Sequence, residues 1–150
     1  CKENHDVEVS ALRDELLKFF PYASIITPNL PEAELLVQKE LRTVEDVKEA
    51  ARTLYSLGAK TVVIKGGHRL DSQKAVDGLY NGEQFQILDS PVLDNNNTGA
   101  GCTFASSIAS QLLLGKSTFE AVQISKEFVY QAIQYSDQYG VVQYEKESDV

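Results

Sequence analysis

The stretch Lys60-Thr61-Val62-Val63-Ile64-Lys65 is an unbroken apolar run between two lysines, and it constrains the fold more than any other segment. A strand with no polar face must be covered above and below, as happens in sheets flanked by helices. Ahead of it, Thr43-Val44-Glu45-Asp46 carries the spacing of a capping box. Val47, Ala51, Leu54 and Leu57 then recur on one helical face, and Gly58 closes the helix. Further upstream, Ala23-Ser24-Ile25-Ile26-Thr27 is short and β-branched between Pro21 and Pro28, which predicts a buried strand. Strand, capped helix and strand make a crossover unit, so the expected class is α/β with a mostly parallel sheet.

The remaining elements fit around that unit. Residues 7–20 read as an amphipathic helix that covers the sheet, with Val9, Leu12, Leu16, Leu17 and Phe20 at helical spacing and Pro21 as its stop. Residues 75–80 and 83–88 flank Asn81-Gly82 and predict a hairpin, hence an antiparallel edge on the sheet. Residues 103–114 form a helix closed by Gly115, and Ser117-Thr118-Phe119-Glu120 caps a last helix to about Asp137. The tail from Gly140 is polar and expected to fray.

Three places carry candidate chemistry. In Pro28-Asn29-Leu30-Pro31-Glu32, Asn29 and Glu32 have capping-box spacing, and the cap by itself accounts for both. The alternative is a metal–phosphate site, because open α/β sheets place ligands beyond the carboxyl ends of their strands. Lys65 ends the apolar strand just before Gly66-Gly67-His68, where a cation could meet phosphate oxygens or simply be a solvated end. Asn97-Thr98-Gly99-Ala100-Gly101-Cys102-Thr103-Phe104 runs a polar turn into a helix start. The first N–H groups of such a helix lack intrahelical partners, so a glycine-rich approach admits a phosphate or an oxyanion, with Cys102 beside it. A plain cap with a small buried thiol is the bland counterpart. The spacing matches neither a Walker A loop nor a Gly-x-Gly-x-x-Gly fingerprint.

Charge and composition narrow the partners. A formal charge of -8 disfavours a nucleic-acid groove or an anionic membrane surface, so the expected ligand is a small molecule held locally. No apolar run approaches the ~18 residues of a membrane span, and the first residues do not read as a signal peptide. Two cysteines and two histidines are too few for a disulfide framework or a zinc site; the chain reads as cytoplasmic with reduced thiols. It contains no methionine, so it is expected to be a piece of something longer.

Taken in order, Pro28-Asn29-Leu30-Pro31-Glu32-Ala33-Glu34, Ile64-Lys65-Gly66-Gly67-His68 and Thr98-Gly99-Ala100-Gly101-Cys102-Thr103-Phe104 resemble one family. It is the branch of the ribokinase superfamily that holds hydroxymethylpyrimidine/phosphomethylpyrimidine kinase and the bacterial pyridoxal kinases. The resemblance runs from Cys1 to about Asp137, and Cys102 marks the branch, since most ribokinase-like enzymes carry Asp there. It implies a ribokinase-like three-layer α/β/α sandwich of which residues 1–150 are the C-terminal portion of one kinase domain. The implied activity is ATP- and Mg2+-dependent phosphorylation of a hydroxymethyl or phosphomethyl pyrimidine in thiamine biosynthesis, with pyridoxal or pyridoxine of vitamin B6 salvage as the alternative acceptor.

By the same resemblance, Asn29 and Glu32 organise Mg2+ and phosphate indirectly, while Lys65 and Thr98 bind the nucleotide. Gly99, Ala100 and Gly101 donate backbone N–H groups to the transferring phosphoryl, and Cys102 lies beside the acceptor hydroxyl. Cys1-Lys2 resembles the residues just after an Asp-Pro-Val segment midway through such an enzyme. The complete enzyme is then expected to be a homodimer, and the fragment alone inactive. The ending Ser136-Asp137-Gln138-Tyr139-Gly140-Val141-Val142 departs from the Gly-rich, His-containing ending common in the family. Two other classes remain: a cysteine-nucleophile hydrolase or acyltransferase using Cys102 with His68 as base, and a non-catalytic phosphate-binding domain.

Overall fold

A computed structural model describes residues 2–143, with side chains described from residue 9 onward. These residues form two compact units that divide between Val92 and Leu93. The first holds helices α1 (Lys2–Leu17), α2 (Leu30–Val37) and α3 (Val44–Ser56), and strands β1 (Val62–Lys65), β2 (Lys74–Tyr80) and β3 (Phe85–Pro91). The second holds α4 (Ala100–Leu113) and α5 (Thr118–Gln134). No helix among the described residues is long and apolar enough to cross a membrane.

The predicted apolar strand is β1, and Val62, Val63 and Ile64 are each fully buried, so both of its faces are covered. Val62 and Ile64 join the core formed by α2 and α3, where Leu30, Ala33, Val47, Ala51 and Leu54 are buried. Both helices begin as their sequences require. Asn29 Oδ1 accepts the Glu32 N–H at 2.9 Å while Glu32 Oε2 accepts the Asn29 N–H at 2.8 Å. Thr43 and Asp46 repeat the arrangement at 3.1 and 3.0 Å.

The sheet is where the expectation of a mostly parallel arrangement has to be corrected. Its three strands run in the order β1-β2-β3, and both pairings are antiparallel. The segment read as a buried parallel strand, residues 23–27, contributes only isolated parallel bridges, Ile26 with Val62 and Asn29 with Lys65. The bonds that form are Ile26 N–H to Thr61 C=O (3.0 Å), Val63 N–H to Ile26 C=O (2.9 Å) and Lys65 N–H to Pro28 C=O (2.9 Å). Between them a continuous ladder needs a donation from residue 28, and proline has no N–H. The parallel neighbour of β1 therefore exists, but as an interrupted one.

The hairpin forms as expected, with Tyr80 paired to Phe85. Its loop is longer than a two-residue turn, because Asn81 Oδ1 accepts the N–H groups of both Glu83 (3.1 Å) and Gln84 (2.9 Å) and draws them out of the ladder. The first helix differs more. It begins earlier than residue 7 and ends at Leu17, and Pro21 sits in a 3-10 turn, Phe20–Tyr22. Only Leu17 and Phe20 of the predicted stripe reach the core; Leu12 and Leu16 stay 58% and 43% exposed, so α1 does not cover the sheet with its apolar face.

In the second unit, α4 and α5 pack as a helical hairpin. Phe104 and Ile108 from α4 are buried, as are Ala121, Val122, Ser125 and Ala132 from α5, and the Ser125 hydroxyl donates to Ser107 Oγ at 2.8 Å. Small residues on the facing surfaces permit that close approach. The capping box at Ser117 and Glu120 starts α5 as expected. The end of the chain departs from the expected frayed tail: Val141 N–H donates to Thr98 C=O (3.0 Å), Val142 N–H to Ala132 C=O (3.1 Å), and Gln143 Nε2 to Thr103 Oγ1 (2.9 Å). A frayed state for residues 144–150 lies outside the described residues.

Candidate functional site

In the first unit, β1 and α2 bring three candidates together. The bridge between Asn29 and Lys65 puts the N-cap of α2 beside the carboxyl end of β1, so Asn29, Glu32 and Lys65 meet at one end of the sheet although they are widely spaced in sequence. Asn29 is half-buried, Glu32 is exposed and Lys65 is half-buried. The capping box uses Asn29 Oδ1 and Glu32 Oε2, so the structural reading of this pair is realised.

The turn after Lys65 is held from two sides. Gly66 N–H donates to Val76 C=O (2.9 Å) and to Asp77 Oδ1 (3.2 Å), and a Cβ at Gly66 would lie 2.2 Å from the Val76 oxygen, so only glycine fits. Asp77 is a buried carboxylate directly across the ladder from Lys65. Arg69 at the far end of the turn reaches Glu34 of α2, Nη2 to Oε1 at 2.9 Å. The Leu41 N–H, and after it the Arg69 guanidinium, hold the Glu34 carboxyl below its usual range. These bonds fix Lys65, Gly66 and Gly67 relative to the start of α2. Sequence reasoning misses Asp77, although a charge inside the apolar run Ala75-Val76-Asp77-Gly78-Leu79 is its signal.

The second candidate region is the head of α4. Gly99 is its N-cap, with φ 86° and ψ -7°, a left-handed conformation that lets the turn enter the helix. No side chain caps this helix and its first turn carries no acidic residue. Ala100 N–H is already bonded to Asn97 C=O at 3.0 Å, and Thr103 N–H makes the first helical bond, to Gly99 C=O at 3.0 Å. Gly101 and Cys102 lie between them, and among the described residues no acceptor takes their N–H groups. Of the expected donors Gly99, Ala100 and Gly101, Ala100 N–H is already committed to the turn, while the unbonded N–H groups include that of Cys102. Its side chain is exposed.

A cleft of about 390 Å3 opens at this helix head, lined by Thr98, Gly99, Cys102 and Thr103 on one side and by Asp137 and residues 139–143 on the other. Thr98 N–H is bonded to Asn96 Oδ1 at 3.1 Å, and Asn96 Nδ2 reaches Asp137 C=O at 2.9 Å, so the asparagine run ties the loop to the end of α5. From the sequence, residues 137–143 stand out only as a departure from the family ending; the Asp137-to-Gly140 spacing of a tight turn is the one clue to their place here. His68, the base in the hydrolase reading, is exposed in the first unit, whereas Cys102 belongs to the second.

Comparison with known proteins adds a consistent set of relatives. Residues 1–146 match the model of the phosphomethylpyrimidine kinase family. The chain is 44% identical over 142 residues to the pyridoxine kinase of Bacillus subtilis (strain 168), covering 91% of the chain and 51% of that protein. It is 40% identical over 133 residues to the hydroxymethylpyrimidine/phosphomethylpyrimidine kinase of Aquifex aeolicus (strain VF5), covering 88% of the chain and 51% of the relative. Among solved structures, the pyridoxal kinase from Staphylococcus aureus superposes with a TM-score of 0.81 at 37% identity, over 92% of this chain and 52% of that one. The chain spans about half the length of the relatives it matches.

Proposed function

This chain belongs to the phosphomethylpyrimidine kinase family, and from that premise we propose that it is part of an ATP-dependent kinase of small vitamin precursors. Its acceptor is the hydroxymethyl or phosphomethyl pyrimidine of thiamine biosynthesis. The single observation that carries the reading is the head of α4: a left-handed Gly99, an acid-free first turn, and the N–H groups of Gly101 and Cys102 without an acceptor among the described residues, beside an open cleft. Such a helix start favours phosphate oxygens through its dipole and its donors.

In the reaction, the acceptor hydroxyl oxygen bonds to the γ-phosphorus of ATP while the bond to the β–γ bridging oxygen breaks and ADP leaves. Gly101 and Cys102 N–H groups, with Gly99, hold the phosphoryl oxygens as charge spreads over them; phosphoryl transfer rests on this positioning and charge stabilisation. Cys102 Sγ takes the acceptor's proton or holds it in a hydrogen bond. Thr98 flanks the phosphate-binding turn, and the Lys65 ammonium pairs with nucleotide phosphate. For Mg2+, Glu32 and Asn29 would act indirectly, through water or phosphate, as one carboxylate and one amide whose cap bonds stay in place, which fits an ion that keeps most of its waters. When bound, that ion would offset the charge on the phosphates.

A second reading, pyridoxine as acceptor, is supported by the 44% identity to the Bacillus subtilis enzyme. The deciding experiment offers ATP with hydroxymethylpyrimidine or pyridoxine to the complete gene product and compares kcat/KM. Turnover of the pyrimidine with little of pyridoxine supports the first reading, and the reverse supports the second. Turnover of neither, with ester hydrolysis that disappears in Cys102→Ser, would replace both with the hydrolase class.

A further inference from the structure

The segment 137–143 brackets the glycine turn rather than merely lying near it. Before the turn, Val141 N–H donates to the Thr98 carbonyl at 3.0 Å. After it, Gln143 Nε2 donates to the Thr103 hydroxyl at 2.9 Å, and Thr103 is itself buried. Gly99, Ala100, Gly101 and Cys102 lie between these two anchors. Gly101 and Cys102, just inside the N-cap Gly99, have N–H groups with no intrahelical acceptor, and the Thr98 carbonyl, bonded to Val141, belongs to the peptide that leads into them.

The anchoring segment is itself fixed. Asp137 Oδ1 accepts the N–H groups of Tyr139 (2.7 Å) and Gly140 (3.2 Å), and Asp137 N–H donates to Gly140 C=O at 3.0 Å. Gly140 is buried with φ 144°, a region side chains rarely adopt, and a Cβ there would stand 2.6 Å from the Thr98 oxygen. Backbone cannot yield at that separation as a flexible side chain can. Any residue other than glycine must shift one of the two backbones, and a shift of Thr98 takes the Gly99 peptide with it.

We infer that Gly140 is a positioning residue: through the Thr98 carbonyl it sets the direction in which the Gly99–Cys102 turn presents its N–H groups to phosphate. The inference rests on the reading of that turn as a phosphoryl site, and it goes further by assigning the site's geometry to the far end of α5. Gly140 also lines the cleft, so its effect on the turn is read from the amide resonances without ligand, where no direct contact with nucleotide or acceptor enters. Its effect passes through a single backbone contact.

The test compares four proteins by 15N–1H spectra and by titration with the non-hydrolysable ATP analogue AMP-PCP and Mg2+: wild type, Gly140→Ala, Val141→Pro and Gly115→Ala. Val141→Pro deletes the N–H that holds Thr98. Gly115→Ala is the control for strain alone, since Gly115 has φ 84° but no atom within 4 Å of an added Cβ. The expected result is that Gly140→Ala and Val141→Pro shift the Gly99, Gly101 and Cys102 amide resonances. Both should also weaken AMP-PCP, which keeps a γ-phosphoryl group, about tenfold or more, the scale of losing one hydrogen bond to a charged group. Gly115→Ala should change the melting temperature and leave those amides and the affinity as in wild type. Unshifted amides in Gly140→Ala, or equal shifts in Gly115→Ala, would overturn the inference; if Gly140→Ala does not fold, Val141→Pro is judged by the same criterion. Should the wild-type turn amides fail to respond to AMP-PCP, the phosphoryl-site reading falls, while the amide comparison still decides whether Gly140 positions the turn.

Discussion

Substituting Asn29 separates the two roles that its position offers. Asn29→Ala removes the acceptor of the Glu32 N–H (2.9 Å) and loosens the reciprocal bond from Asn29 N–H to Glu32 Oε2 (2.8 Å). Caps of this kind are worth about 0.5 to 2 kcal/mol. Glu32 is exposed, so water replaces much of what is lost, and the expected cost is about 1 kcal/mol rather than the upper limit. For a chain of 150 residues that corresponds to roughly 2 to 4 °C in melting temperature. Asn29→Ser and Asn29→Asp keep a side-chain oxygen at the cap and should melt within about 0.5 kcal/mol of wild type. The two conservative variants diverge in ligand binding: Asp adds negative charge where a nucleotide phosphate is expected and should weaken Mg2+–ADP, whereas Ser loses only the amide. The assays are thermal unfolding followed by circular dichroism and calorimetric titration with Mg2+–ADP. If Asn29→Asp melts as low as Asn29→Ala, the capping argument is wrong. If Asn29→Ser and Asn29→Asp both bind Mg2+–ADP as wild type does, Asn29 is a cap and nothing more.

In the complete protein, Cys102→Ala should lower kcat much more than ATP affinity because the backbone donors remain, and Cys102→Asp should retain more activity than Ala; equal rates for all three would remove Cys102 from the mechanism. Lys65→Ala should raise the barrier by about 2 to 4 kcal/mol in kcat/KM, the scale of one preorganised charge-stabilising donor, and a change confined to melting temperature would make Lys65 only a strand end. The Asp46 carboxyl is lowered from 3.8 to about 2, first by the Thr43 hydroxyl and next by the Arg42 N–H. A depressed folded-state value means that this stabilisation is complete above about pH 4 and is lost as pH falls through about 2. An NMR titration of Asp46 should show that value move up in Thr43→Ala; no movement would contradict the assigned cause. Leu54→Ala, at a fully buried site on α3, should cost about 2 to 5 kcal/mol in denaturant unfolding, and a loss under about 1 kcal/mol would mean the core closes over the cavity.

Local chemistry was readable from the sequence alone. The capping boxes at Asn29–Glu32, Thr43–Asp46 and Ser117–Glu120 formed as their spacing required, since each is completed within four residues. The hairpin at Asn81-Gly82 and the glycine turn into α4 formed for the same reason. The apolar run ending at Ile64 told correctly of a strand buried on both faces. Its partners were another matter, because strand direction depends on which distant backbone supplies the matching donors. Pro28, lacking one, reduced the parallel neighbour to two bridges, while β2 supplied a full antiparallel ladder. Burial of Asp77 beneath Gly66 and the docking of Val141 on Thr98 were decided likewise by contacts 11 and 43 residues apart. No periodicity records such contacts; they exist only once packing has brought the two backbones within hydrogen-bonding distance.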